Sequence, residues 1–135
     1  MKPKLRSRAR AAALQILYQM DLGASEQDAI AHVVGHFGTP PHDNEYLRRL
    51  LDGVTERATE LAERLAAANP EWRHERQDII DRNLLVIGAY ELLEGSAPLK
   101  VVLAEAGILA ERYGGEKSSS FVRGTLSRLA DGLAG

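Results

Sequence analysis

The sequence predicts an all-α fold. Three observations carry the prediction: apolar residues recur at i, i+3 and i+4 almost throughout, no stretch alternates with period two, and aromatic residues make up only 5% of the chain. At 135 residues the chain suits one domain spanning 1–135, long enough to bury a core without disulfides or a structural metal.

The first helix is expected over about residues 8–22, with Leu14, Leu17, Tyr18 and Leu22 on one stripe, Ile16 and Met20 widening it, and Gly23 as its stop. Ser25 reads as the N-cap of a second helix reaching about residue 37, after which Gly38-Thr39-Pro40-Pro41 breaks the chain. Asp43 or Asn44 caps the longest expected helix, in which Leu47, Leu50, Leu51, Val54, Ala58, Leu61, Ala62 and Leu65 form one continuous series. Gly53 inside it costs about 1 kcal/mol relative to alanine, which makes sense where another helix crosses closely. Asn69-Pro70 ends this element, and a short helical turn around residues 72–76 leads onward. Over residues 79–93, Ile80, Leu84, Leu85, Val86, Ile87 and Leu92 make a broad apolar surface, the mark of a central, mostly buried helix. Pro98 suits the first turn of a sixth helix, which carries Val101, Val102, Leu103, Ala106, Leu109 and Ala110 before Gly114-Gly115 stops it. The seventh begins after residues 118–120 and runs through Phe121, Val122, Leu126, Leu129 and Leu133.

Charge is segregated along the chain. Lys2, Lys4, Arg6, Arg8 and Arg10 fall in the first ten residues with no acid among them, while the other 12 basic residues face all 19 acidic ones. A segment of +5 thus precedes a body of −7, with residues 1–7 expected to form a basic flexible arm suited to an anionic partner. A second polar segment, Lys117-Ser118-Ser119-Ser120-Phe121-Val122-Arg123, opens the last helix. Unpaired N–H donors at a helix start, two cations and an aromatic ring are what a phosphate and an unpaired base require, although Phe121 among its apolar neighbours also fits the core.

Other chemistries find less support. Without cysteine there is no disulfide, thiolate zinc site or thiol nucleophile, which is compatible with a reducing cytosol. No apolar run approaches the roughly 20 residues of a membrane span, and Gln15, Gln19 and Asp21 interrupt any signal-like segment, so a cytoplasmic location is the default. His32 and His36 stand one turn apart but lack a convincing third metal ligand. Gly114-Gly115-Glu116-Lys117-Ser118 lacks the upstream glycine spacing of a phosphate loop and follows a helix rather than a strand. The pairs Glu60/Glu63 and Asp78/Asp81 lie on amphipathic helices as solvated charge would, and no serine has a histidine base near it in sequence. No enzyme signature, resident metal or cofactor is expected.

In order along the chain, Arg6-x-Arg8-Ala9-Arg10, Ala13-Leu14-Gln15-x-Leu17-Tyr18, Gly53-Val54, Tyr90-Glu91-Leu92, Lys100-Val101 with Glu105-Ala106, and Phe121-Val122-x-Gly124-x-Leu126 resemble motifs of the bacterial NusB family of transcription antitermination factors. The resemblance covers essentially the whole chain. It implies a compact seven-helix domain of two helical subbundles, without enzymatic activity. The domain would bind boxA-like single-stranded RNA together with NusE, a ribosomal protein that doubles as a transcription factor, in an antitermination complex with RNA polymerase on ribosomal RNA operons. It assigns Arg6, Arg8, Arg10, Lys117, Ser118 and Phe121 to the RNA surface; the basic segment adds Lys2 and Lys4 as nonspecific contacts, and Arg123, a departure from the family pattern, adds basic charge there. Tyr18 and Asp81 fall on the NusE-facing surface, and Tyr90 and Glu91 are structural.

Several positions depart from the family pattern. Ser7 stands where another arginine is common, Lys117 replaces an acid, Arg123 replaces the signature asparagine, and Val86 and Ala104 replace an arginine and an asparagine. The alternative reading is a NusB-like protein-interaction or homodimer module without specific RNA binding. A similar domain also precedes the catalytic domain of some RNA cytosine methyltransferases, but the chain ends before a cofactor-binding domain would begin.

Overall fold

The computed structural model describes residues 2–37, 44–72 and 78–134. Seven helices occupy them: α1 Lys2–Asp21, α2 Glu26–Phe37, α3 Asn44–Glu56, α4 Ala58–Ala68, α5 Ile79–Glu94, α6 Leu99–Gly114 and α7 Glu116–Ala134. The described residues contain no strand, and no described helix is long and apolar enough to cross a membrane.

The number of helices matches the expectation, but the partition differs. The long third helix breaks at Arg57, whose φ of −108° and ψ of 20° leave the helical range. Its apolar series passes through the break because both halves bury one side, but against different neighbours. α3 packs on α1 and α5, whereas α4 packs on α7 and α5. Arg57 is held at the joint by Glu60 at 2.9 Å and Glu94 at 2.7 Å. Asp43, the break at residues 38–41 and nearly all of the turn expected at 72–76 lie outside the described residues.

α5 is the shared element of two subbundles, α1–α3 on one side and α4, α6 and α7 on the other. Every residue from Asn83 to Glu91 is buried, as expected for a helix that packs all round. Asp78 caps its start, accepting from the backbone N–H of Ile80 at 2.9 Å. Gly95 ends it with a φ of 68°, in the left-handed region where a side chain would be strained. Pro98 then takes the N-cap of α6.

The core runs continuously through both subbundles. Leu14, Leu50, Leu61, Leu65, Leu85, Val122 and Leu126 are fully buried. Each large aliphatic side chain so enclosed contributes about 1.5–3 kcal/mol relative to exposure, and truncating one such as Leu85 to alanine would cost about 2–5 kcal/mol. Leu22, expected on the buried stripe of the first helix, is instead 60% exposed because α1 stops at Asp21 and the chain turns away. Ser25 performs its expected capping role, accepting from the N–H of Asp28 at 3.1 Å.

Candidate nucleic-acid interface

α1 begins at Lys2, six residues before its expected start, so the segment read as a flexible arm is largely helical. Contacts far away in sequence explain the extension. Arg6 donates to the Ser96 carbonyl at 2.9 Å and lays its guanidinium 4.4 Å from the centroid of the Tyr46 ring, and the Ser7 hydroxyl donates to Glu105. Arg6 and Arg8 nonetheless face solvent, and neither meets a carboxylate among the described residues. The side chains of Lys2 and Lys4 lie outside the described residues.

Arg10 corrects the sequence reading. It was expected on the RNA surface, but it is only 4% exposed. Its Nε and Nη2 donate to Glu91 at 3.0 and 2.9 Å, and its Nη1 donates to Glu105 at 2.8 Å. The Tyr46 hydroxyl donates to the same Glu91. Burial alone would disfavour the Arg10 cation, but the Glu91 hydrogen bonds and charge, aided by Tyr46 and Glu105, outweigh it and raise the pKa further. Burial and Glu91 likewise push the Tyr46 phenol up. The network joins α1, α3, α5 and α6 and leaves Arg10 no exposed face for a phosphate. Glu91, expected to be structural, is that.

The other proposed half lies at the opposite end of α5. Lys117 and Ser118 fall in the first turn of α7, which begins at Glu116 rather than after residue 120, and Ser118 abuts Gly114 and Asp81. Glu91 near the arm and Asp81 near α7 are ten residues apart on one helix, roughly 15 Å at the α-helical rise. Four or five stacked nucleotides, at about 3.4 Å each, cover that distance. Phe121 is half-buried, packing on the core with one side and lining an open cleft of about 420 Å³ with the other. Asn69, Pro70, Glu71, Ser120, Gly124, Thr125 and Arg128 complete the cleft. Asn69 is committed within it, donating to Thr125 at 3.1 Å and accepting from the N–H of Glu71 at 3.0 Å. Arg123 is exposed, and its stem crosses Gly107 so closely that a Cβ there would stand 2.7 Å from its Cδ.

Asp81 and Tyr18 are both partly buried. One Asp81 carboxylate oxygen, Oδ1, is enclosed without a hydrogen-bond partner among the described residues. Burial raises the carboxyl above its ordinary pKa, the Ser118 hydroxyl opposes that, and the Asp78 charge adds to it. Nearby, Asp21 ties the end of α1 to α5 through Arg82 and Asn83, both at 2.9 Å.

One exposed cation beside Tyr46 is not among those the sequence points to. Arg49 on α3 is exposed and lies 5.5 Å from the Tyr46 ring centroid. The only signal for it was the i, i+3 spacing of Tyr46 and Arg49, which is commonplace on helices.

The profile of the NusB family matches residues 7–131. The chain belongs to the NusB family. It is 40% identical over 133 residues to the transcription antitermination protein NusB of Sorangium cellulosum, covering 95% of this chain and 93% of that protein. The NusB of Anaeromyxobacter dehalogenans is 38% identical over 132 residues, covering 95% and 92%. Among solved structures, a chain from the crystal structure of antitermination factors NusB and NusE in complex with dsRNA superposes with a TM-score of 0.84 at 26% identity, over 96% of this chain and 98% of that one. Within this NusB-family frame the departures noted above have physical places. Val86 is buried in the α5 core, Ala104 is exposed on α6, and Ser7 keeps its link to Glu105 without supplying a cation.

Proposed function

We propose that this chain is an RNA-binding transcription antitermination factor. In this reading it takes boxA-type nascent RNA together with NusE and supports ribosomal RNA operon transcription within an RNA polymerase complex. The observation that carries the reading is the pair Arg6 and Arg8, presented outward on a helix whose neighbouring Arg10 is enclosed. A phosphate backbone is the polyanion that such unneutralised guanidinium groups fit. The α7 start, with Lys117, and the Phe121 cleft, with Arg128 in its lining, supply the second half, where an unpaired base stacks on the exposed side of Phe121. Arg123, its stem against Gly107 of α6, adds charge outside the cleft. Asp81 and Tyr18 form the protein-facing edge, with an acid suited to a basic ribosomal partner. Likeness to a chain of the crystal structure of NusB and NusE in complex with dsRNA supports both classes of partner.

The test is a salt series of binding to single-stranded boxA-type RNA, with and without NusE. With Arg10 withdrawn from the surface, phosphate contacts by Lys2, Lys4, Arg6 and Arg8 would give a log–log slope of about −2.8, instead of about −3.5 for all five residues. Changing Arg6 and Arg8 together to alanine should halve that contribution while leaving NusE affinity in place. An unchanged slope would refute the role of α1 and favour a module that binds protein alone.

A further inference from the structure

Three guanidinium groups gather on one ring. The Cζ atoms of Arg6, Arg49 and Arg10 lie 4.4, 5.5 and 5.8 Å from the centroid of Tyr46. Their circumstances differ. Arg10 is enclosed and neutralised by Glu91 and Glu105, whereas Arg6 and Arg49 are exposed and meet no carboxylate among the described residues. The adjacent Arg48 shows that acids are within reach of this helix, since it pairs with Glu26 at 2.8 Å and Asp52 at 3.0 Å. Arg49 instead lies against the Tyr46 ring, as Arg6 of α1 does.

Two like charges on one ring need compensation. Part comes from the ring face, and part from the enclosed cluster below, where one arginine stands against two carboxylates. A guanidinium over a ring keeps its edge N–H groups available as a planar fork that matches phosphate oxygens, although Arg6 commits one nitrogen, Nη1, to the Ser96 carbonyl. Tyr46 itself is only 5% exposed, so no base stacks on it. The ligand that fits is a backbone phosphate.

We propose that Arg49 extends the RNA surface from α1 onto α3, where Arg6 and Arg49, both held on Tyr46, grip one phosphodiester group. This rests on the RNA-binding reading above and adds a second helix to it.

The experiment measures single-stranded RNA affinity against salt for the intact chain, Arg49→Gln, Arg49→Glu, Arg48→Gln and Arg8→Ala, with unfolding midpoints recorded for each. Losing one phosphate contact should reduce the slope by about 0.7, so that the advantage of the intact chain over Arg49→Gln shrinks about 2.5-fold between 50 and 200 mM salt. The loss should be the same for RNAs of different sequence, larger for Arg49→Glu, and absent for Arg48→Gln, with midpoints unchanged. An intact slope in Arg49→Gln beside a reduced one in Arg8→Ala overturns the proposal while leaving the RNA reading standing. Equal losses from Arg48→Gln and Arg49→Gln also overturn it, since bulk charge would then be the cause, as does loss of NusE affinity with RNA binding intact. No salt-dependent RNA binding by the intact chain would sink the RNA reading itself.

Discussion

Gly53 on α3 and Tyr90 on α5 meet so closely that a Cβ added to the glycine would stand 2.0 Å from Cε1 of the ring. Tyr90 is 7% exposed, so the ring has little room to retreat. Gly53→Ala is expected to destabilise the fold by about 1–3 kcal/mol through overpacking, even though alanine improves helix propensity by about 1 kcal/mol. Urea unfolding decides it, by a lower midpoint at unchanged m-value.

Gly124 makes the opposite case. A Cβ there meets nothing within 4 Å, although the residue sits inside α7. Gly124→Ala should therefore raise stability by up to about 1 kcal/mol, visible as a higher thermal midpoint. A lower midpoint would mean that the residue serves close packing after all.

Arg8 and Arg10 look alike in sequence and should behave as opposites in unfolding. Arg10→Ala leaves Glu91, 1% exposed, without its cation and is expected to cost about 3–5 kcal/mol. Arg8→Ala, on the exposed face, should stay within about 0.5 kcal/mol of the intact chain. Equal losses would contradict the placement of the two side chains.

Asp81 carries a pH signature. Its native pKa is raised, so the folded state holds the proton more tightly than the unfolded chain. Stability from this residue is therefore lost as the pH rises from the ordinary carboxylate value through the raised native one, and the penalty is complete above both. Asp81→Asn should be more stable than the intact chain at neutral pH. The difference should close below about pH 3, where both states of the intact chain are protonated. Thermal unfolding across that range provides the check, and a gap that persists into acid would point to a cause other than charge.

Helical periodicity made most of the fold legible, because apolar spacing and stop residues act locally. Gly23, the Pro98 boundary and the burial of Leu84, Leu85 and Ile87 follow directly from such signals. The break at Arg57 does not, since Leu47 through Leu65 keeps one unbroken apolar rhythm while the partners on either side change. Arg10 was illegible for a related reason. Its carboxylates lie 81 and 95 residues away, and nothing local separates it from Arg6 and Arg8. Arg49 lay hidden beside Arg48, because sequence alone does not reveal which of two adjacent arginines has found its acids.

The enclosed Arg10 also sets a boundary for proteolysis. Trimming the chain through residue 7 would remove surface cations while leaving Arg10 in place and the new terminus on the exposed Arg8. Removing three residues more would leave Glu91 and Glu105 facing each other across the junction of α5 and α6 without the guanidinium that joins them. The two products would meet different fates, one persisting as a folded protein of reduced charge, the other opening into further substrate for the protease.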